Sequence, residues 1–139
     1  MGRITRVATL AATALLACGT ARAAEWLSLG KSDDGKQETF VDVSSIRVTG
    51  PVHRAWVKFV VAPRTMRVPG HSWWKYSMNY QAFNCEVATY RTEAASVYYD
   101  DGSMPDSVPD EAKDMKWKPV PPESEVSVEM ALICGSTPK

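Results

Sequence analysis

The cysteines of this chain constrain its fold more than any other residues. Three are present, and Cys18 lies within an N-terminal segment typical of an export signal. Removing that segment leaves Cys85 and Cys134 as a pair. An even number of cysteines in an exported chain indicates a disulfide, because the compartments outside the cytoplasm are oxidising. Such a bridge would close a loop of about 50 residues, which the chain-entropy model values at roughly 4 kcal/mol.

Two other interpretations of this cysteine pair stay open, namely buried free thiols and metal ligands. Neither cysteine belongs to a Cys-x-x-Cys pair, and the chain has only two histidines, His53 and His71. Each lies beside turn or loop residues, without Cys, Asp or Glu at ligand spacing, and is interpreted as a solvated loop residue. We therefore expect a disulfide, with no metal and no cofactor.

Residues 1–23 have the three parts of a secretory signal peptide. A short basic start precedes an apolar run over residues 7–17, and the segment ends in the small-residue cleavage site Ala21-Arg22-Ala23. The apolar run is too short to cross a bilayer, which takes about 20 residues. We expect cleavage after Ala23 and an exported protein that is periplasmic or at the cell surface.

A lipoprotein is the alternative. The sequence Leu15-Leu16-Ala17-Cys18 resembles a lipoprotein box, in which Cys18 would become the lipidated first residue and anchor the chain to the outer membrane. Leu16 is unusual at its position in such a box, so simple cleavage is preferred. A membrane is expected as a partner only if Cys18 is lipidated.

The mature chain is small and mildly acidic. Removing 23 of the 139 residues leaves 116, numbered 24–139, which is enough for a single domain with one core. The leader takes three of the 16 basic residues and no acidic ones, so 13 basic residues remain against 16 acidic, a net charge of −3. Nucleic acids and anionic membranes demand clustered positive charge, so neither is expected as the main partner.

Short segments of alternating apolar and polar residues predict an antiparallel sheet over the first hundred positions. One helical turn is expected at residues 42–45, where Asp and Ser can bond the local backbone. The strand over residues 54–61 is expected to be central, with Ala55, Val57, Phe59 and Val61 on one face. The predicted strands cover residues 26–29, 38–41, 54–61, 74–82 and 87–99.

The clearest alternation lies in residues 74–82. It predicts one aromatic, buried face and one wet face. The buried face would hold Trp74, Tyr76, Met78, Tyr80 and Ala82, and the wet face Lys75, Ser77, Asn79 and Gln81.

The rest of the chain is predicted to form two loops and one terminal element. Residues 62–72 and the Pro-rich, charged residues 106–122 indicate exposed loops. Residues 123–134 fit both helical spacing and alternation. The prolines before this element and Gly135 after it favour a helix, with Glu123 and Glu125 in its first turn.

In order and spacing, these features resemble the bacterial surface-adhesin protein E family. The resemblance covers essentially the whole mature chain. It implies an α+β fold, predominantly an antiparallel sheet with a C-terminal helix docked on it, and one Cys85–Cys134 disulfide. It also implies binding to macromolecules and dimer formation. The residues that carry it are Trp26, Phe40-Val41-Asp42-x-Ser44-x-Ile46, Trp56, Cys85, Tyr99-Asp100-x-Gly102 and Cys134.

A candidate partner surface lies around the loop over residues 62–72. Trp73 falls off the predicted buried face of its strand, and Arg64 and Arg67 lie in the loop before it. Trp, Tyr and Arg dominate binding hot spots, so these three residues are predicted to contact a partner. The alternative is that the exposed aromatic residues cover a sheet edge in a dimer. The acidic residues between positions 100 and 114 lack the fixed spacing of a calcium loop and are interpreted as solvated.

The sequence contains no catalytic signature of a hydrolase, metalloprotease, phosphate-binding or dinucleotide-binding enzyme. We therefore expect no enzyme. The predicted function is non-catalytic binding at the cell envelope, in the manner of an adhesin, to a protein or other macromolecule of host or environment. A small periplasmic enzyme or inhibitor is the alternative.

Overall fold

The computed structural model describes residues 23–103 and 116–135, together with the backbone of the short strand Asp106–Ser107. Cys18, nearly all of the predicted leader and most of the acidic stretch after Asp101 lie outside the described residues. Within the described part of the chain, no helix is long and apolar enough to cross a membrane.

The described residues form an antiparallel sheet and one C-terminal helix, as predicted. A single 3-10 turn at Val43–Ser45 follows the second strand, where one helical turn was expected. The strands are β1 (Trp26–Lys31), β2 (Gln37–Asp42), β3 (Arg47–Thr49), β4 (Val52–Val61), β5 (Trp74–Asn84), β6 (Thr89–Tyr99), β7 (Asp106–Ser107) and β8 (Lys118–Pro119), and the helix is α1 (Glu125–Gly135).

The sheet is a meander with β4 in its interior. The order along the sheet is β1-β2-β4-β5-β6-β7, while β3 pairs back onto β4 and β8 pairs with β6. All of these pairs are antiparallel. β4 and β5 pair through nine opposed positions, so the prediction of a central strand over residues 54–61 is confirmed.

The helix covers one face of the sheet, and the core lies between them. Val41, Ala55, Val57 and Phe83 contribute fully buried side chains from the sheet, and Ile133 contributes one from α1. Strand pairing places Val41 opposite Val57, so both point to the helix side. Removing this apolar surface from water is the main stabilising contribution, at about 25 cal/mol per Å².

Asp42 fixes the chain where β2 ends. Its Oδ1 accepts hydrogen bonds from the backbone N–H of Ser44 at 3.0 Å and from the Ser44 hydroxyl at 2.6 Å. The same oxygen accepts the backbone N–H of Glu25 at 3.0 Å. Asp42 therefore caps the 3-10 turn and also ties the start of β1 to the end of β2.

The predicted helix is confirmed, although it begins two residues later than expected. Ser124 is the capping residue, because the Ser127 N–H donates to the Ser124 hydroxyl at 3.2 Å and the Ser124 N–H donates to the Ser127 hydroxyl at 3.1 Å. Glu123 lies before the helix with φ of 54°, a left-handed conformation that cannot continue a right-handed helix. It is therefore not part of the first turn.

The predicted disulfide is present. Cys85 and Cys134 are bonded, with their Cα atoms 5.7 Å apart. Cys85 follows the last residue of β5, and Cys134 lies in the last turn of α1. The bond therefore holds the end of the helix to the end of a central strand.

The prediction for the two faces of β5 is wrong at most positions, although Ala82 is fully buried and Lys75 is exposed, as predicted. Ser77 and Gln81, expected on the wet face, are each only 4% exposed. They lie opposite Phe59 and Ala55, on the face that meets the helix. Alternation with period two shows that the two faces of a strand differ, but it does not show which face a helix covers. The residues expected to be core and found half-buried on the opposite face are Tyr76, Met78 and Tyr80, whereas a bulge places the half-buried Trp74 opposite Tyr99.

Three short strands were not predicted. β3, β7 and β8 are only two or three residues long, and each exists through its pairing with a longer strand. Segments this short carry no periodic signal. β7 and β8 fall in residues 106–122, which were predicted to be loop throughout.

Candidate functional site

The predicted partner surface brings Arg67 and Trp73 together. An isolated β-bridge pairs these two residues, and the Arg67 guanidinium lies 5.7 Å from the centre of the Trp73 ring. Arg67 Nε also donates a hydrogen bond to the backbone carbonyl of His71 at 3.1 Å, which closes the loop on itself. The loop carries an exposed apolar side chain as well, Met66, at 43% exposure.

Arg64 lies in a separate turn of the same loop. The Thr65 N–H donates to the carbonyl of Ala62 at 3.3 Å, and the Thr65 hydroxyl donates to it at 2.6 Å. Arg64 is the third residue of this turn and has φ of 59°, the left-handed conformation that the third position of some β-turns requires. Arg64 is exposed, three residues before Arg67.

A second surface, which was not predicted, lies on the side of the sheet opposite the helix. We call it the aromatic face. Trp56 of β4 and Tyr80 of β5 pair across the strands with ring centres 5.0 Å apart. Tyr76 of β5 and Tyr98 of β6 stack at 4.4 Å. The aromatic face comprises Trp26, Phe40, Trp56, Lys58, Tyr76, Tyr80 and Tyr98, all half-buried.

Lys58 lies between the rings of Trp26 and Phe40, in the part of the aromatic face formed by β1, β2 and β4. Its ammonium lies 4.4 Å from the centre of the Trp26 ring and 5.2 Å from that of Phe40. These are cation–π distances, and one lysine thereby connects β1, β2 and β4. The aromatic face thus carries a positive charge within its apolar surface.

Arg54, Arg91 and Glu93 flank the aromatic face on β4 and β6, at the end away from Lys58. Arg54 Nε donates to one oxygen of Glu93 at 3.0 Å, and Arg91 donates to the other at 2.6 Å. Burial acts to raise the pKa of Glu93, but the hydrogen bonds from Arg91 and Arg54 outweigh it and hold that pKa below its usual value. The Arg91 guanidinium also lies 4.6 Å from the centre of the Trp117 ring, and Trp117 is 38% exposed.

A β-bulge brings Glu93 to this position. Tyr80 lies opposite Ala94, and Gln81 opposite Thr92, so Glu93 is the extra residue in the pairing of β5 with β6. Bulges re-aim single side chains and are common next to functional sites. Here the bulge places one carboxylate between two guanidinium groups and leaves this end of the surface with a net positive charge.

His53 is not a loop residue, so its interpretation as a solvated loop histidine is wrong. It lies in β4, half-buried, and its Nδ1 is 3.0 Å from the backbone carbonyl of Ile133 in α1. Candidate ligand atoms of His53, Cys85 and Cys134 all lie within 4.8 Å of one another. His71 does lie in the exposed loop, where it stacks on Tyr99 at 4.9 Å.

A cavity of about 220 Å³ opens between the β1–β2 hairpin and the start of the helix. Leu29, Thr39 and Val128 form part of its wall, and Lys31 and Glu125 lie at its polar side. Glu125 accepts a hydrogen bond from the side-chain amide of Gln37 at 3.1 Å. The residues predicted to contact a partner lie elsewhere.

These features define a small disulfide-linked protein with two surfaces that combine aromatic rings and cationic groups. A sequence model of the surface-adhesin protein E family matches residues 26–135, and the chain belongs to this family. The predicted resemblance is thereby confirmed. Membership gives the functional class, a non-catalytic adhesin that is exported or at the cell surface.

A solved structure shares the fold. The crystal structure of protein E from non-typeable Haemophilus influenzae is 15% identical in sequence, with a TM-score of 0.50. The match covers 86% of this chain and 82% of that one. A search among curated proteins gave no significant match.

Proposed function

We propose that this domain is an envelope adhesin that binds a macromolecule of host or environment through the aromatic face and the adjoining loop that holds Arg67 and Trp73. The observation that carries the proposal is the set of half-buried rings that pack in pairs on the side of the sheet away from the helix. Rings held in this way present large contact area with little conformational entropy left to lose on binding.

The loop continues the aromatic face at one end. Trp73 directly precedes β5, and Tyr76 lies two positions into that strand, stacked on Tyr98. Arg67, Trp73 and the neighbouring tyrosines thus combine the residue types that dominate binding hot spots. Arg64 is proposed as a further contact, because it is exposed in the same loop.

The positive groups favour a protein or glycan partner with acidic groups. Lys58 lies against the rings of the aromatic face, and two arginines share the single carboxylate of Glu93 at its flank. The overall negative charge of the mature chain would repel an acidic partner elsewhere on its surface. Local cations therefore orient the encounter as well as contributing contacts.

A pull-down of matrix proteins and envelope extract by the mature protein tests this function. Three variants are compared with the parent: Trp73→Ala, Arg64→Ala with Arg67→Ala, and Trp56→Ala with Tyr76→Ala. Each should weaken capture of the parent's partner by about tenfold or more, the effect of losing a binding hot spot. Val87→Ala is the control, because Val87 is 63% exposed in the β5–β6 turn.

The outcomes separate the surfaces and the alternatives. Capture that no variant weakens would remove both surfaces from the proposal. Turnover of a cell-wall or peptide substrate without any capture would replace binding by the periplasmic enzyme. Light scattering on the same samples reports whether a second copy of the chain occupies the aromatic face. In that case the parent would be a dimer, and the variant with Trp56→Ala and Tyr76→Ala would be a monomer.

A further inference from the structure

In the cluster of His53, Cys85 and Cys134, a hydrogen bond fixes the His53 ring beside the two sulfurs, which a structural disulfide does not need. The backbone carbonyl of Ile133 can only accept a hydrogen bond, so His53 Nδ1, at 3.0 Å, is the protonated ring nitrogen. Nε2 then has a free lone pair. Histidines that bind metals commonly donate their other ring N–H to a carbonyl in this way, which fixes the ring and its tautomer.

We propose that reduction of the Cys85–Cys134 disulfide turns this cluster into a site for a thiolate-preferring metal ion of the zinc class. The ligands are the two cysteine thiolates and the imidazole of His53. Two sulfurs and one nitrogen suit Zn²⁺ or Cu⁺, and they suit calcium and magnesium poorly, since both prefer oxygen ligands. The oxidised protein has no such site, because each sulfur is bonded to the other.

The chemistry balances with an external dithiol as the reductant. The dithiol passes two electrons and two protons to the Cys85–Cys134 bond and becomes a disulfide itself. Binding of one divalent ion then releases the two thiol protons, because thiolates are the metal ligands. The oxidised form of the same dithiol reverses both steps by thiol–disulfide exchange: it takes back the two electrons, the Cys85–Cys134 bond forms again and the ion is released.

The geometry of the two cysteines needs only side-chain rotation. In a tetrahedral zinc site two thiolates stand about 3.8 Å apart, each about 2.3 Å from the metal. Two cysteines whose Cα atoms lie 5.7 Å apart reach that separation without moving the backbone. All three side chains are half-buried, so solvent has access and the fourth coordination position stays open to water or a ligand.

The bound ion would take over the structural role of the disulfide. Cys134 lies in the last turn of α1, whereas Cys85 and His53 belong to the sheet side. Metal binding therefore keeps the helix on the sheet in the reduced protein. Since the ion binds only the folded arrangement of all three ligands, it also raises the melting temperature of the reduced protein.

Zinc titration of the mature protein in both redox states tests the site. The protein is reduced anaerobically with a phosphine, which is then removed, and Zn²⁺ is titrated against a chromophoric chelator. We expect one ion per chain in the reduced protein and none in the oxidised protein. Failure of the reduced protein to bind, or equal binding by both forms, would overturn the proposal.

The two histidines of the chain provide a matched pair of variants. His53→Ala should weaken zinc binding by the reduced protein by about tenfold or more, since even the loss of a group that only supports a ligand costs about 10–100-fold. His71→Ala should bind as the parent does. Undiminished binding in His53→Ala would mean that two thiols alone hold the ion, and the proposed site would be wrong.

Cobalt substitution adds a spectroscopic measurement that does not depend on affinity. Reduced parent protein with Co²⁺ should show thiolate-to-metal charge transfer together with the intense visible bands of a tetrahedral ion. His53→Ala should keep the thiolate absorption but change the visible bands, because one nitrogen ligand is replaced by water. Identical visible bands in the two proteins would exclude His53 as a ligand.

Discussion

Glu129 is unusual for a glutamate because its side chain is in the core. It lies in α1 and is fully buried, and neither carboxyl oxygen has a hydrogen-bond partner in the described part of the chain. Burial raises the pKa of Glu129 to about 8, and the nearby carboxylate of Glu125 adds to the effect. The carboxyl is therefore neutral at pH 7, which is how a helix with a glutamate on its inner side can pack on the sheet.

This burial makes stability depend on pH. The folded-state pKa of Glu129 is raised from 4.5 to about 8, so between these values the unfolded chain is ionised and the folded chain is not. Stability should fall by up to about 1.4 kcal/mol per pH unit as pH rises through this window, and this contribution should level off above pH 8. Urea unfolding at pH 5 and pH 8 measures the difference.

Glu129→Gln is the matched variant, because glutamine has nearly the same shape and does not titrate. Its free energy of unfolding should change much less between the two pH values than that of the parent, and it should exceed the parent's at pH 8. An equal pH dependence in the two proteins would show that other groups cause it.

Asp42 should matter to stability for a different reason. One carboxylate oxygen accepts three hydrogen bonds, two from Ser44 in the 3-10 turn and one from Glu25, directly before β1. Asp42→Ala should lower the free energy of unfolding by about 1–3 kcal/mol, through loss of a cap and of partners for half-buried donors. Asp33→Ala, at an exposed turn position, is the control and should change it by less than about 0.5 kcal/mol. Equal effects in chemical denaturation would contradict this role.

At the scale of elements, the disulfide holds the only helix among the described residues. Beyond the disulfide, α1 is held by Ile133 and its partly buried neighbours and by two hydrogen bonds, one between Gln37 and Glu125 and one between His53 and the Ile133 carbonyl. The sheet, in contrast, has continuous pairing through β4, β5 and β6. The helix is therefore the element most dependent on the covalent link.

We predict that reduction loosens α1 before the sheet. In hydrogen exchange of the reduced protein, kept free of metal by a chelator, the amides of α1 should lose protection while those of β4 and β5 keep most of theirs. Cys85→Ser with Cys134→Ser should behave in the same way. Simultaneous loss of protection in helix and sheet would show instead that the domain unfolds as one unit.

The elements were largely predictable from the sequence, whereas their faces were not. Alternation, turn residues and the Pro–Gly flanks predicted β1, β2, β4, β5, β6 and α1, because these signals are local. Burial of Ser77 and Gln81 depends on where the helix docks, which is a property of the whole chain. Aromatic rings also shield one another when they pack in pairs, so a face rich in tyrosine and tryptophan does not need a helix over it.

At the scale of the molecule, the predictable part of the site was the part formed by sequence neighbours. Arg67 and Trp73 meet within one loop, and their proximity could be expected. Trp26, Phe40 and Lys58 come from three strands and meet only through the register of the sheet. His53 and Ile133 are 80 residues apart in the chain, yet the His53 ring contacts the Ile133 carbonyl beside the disulfide. No spacing in the sequence reveals this contact.

The N-terminus of the mature protein decides how the domain sits in the envelope. Glu25 is held by two hydrogen bonds, one from its N–H to Asp42 and one to its carbonyl from the Val43 N–H. Cleavage after Ala23 would leave Ala24 alone before this anchored residue and release the domain from the membrane. Lipidation at Cys18 would instead leave residues 19–24 as a tether of at most about 20 Å, keeping both proposed surfaces near the membrane.

We predict cleavage after Ala23. Intact-mass analysis of the protein from the envelope fraction should give a chain beginning at Ala24, and Cys18→Ala should give the same mass, because the mutated residue is removed with the leader. A lipoprotein would behave in the opposite way: the parent would carry a diacylglyceryl group on Cys18, and Cys18→Ala would lose its membrane association. That result would fix Glu25, and with it the start of β1, within the length of this short tether from the bilayer.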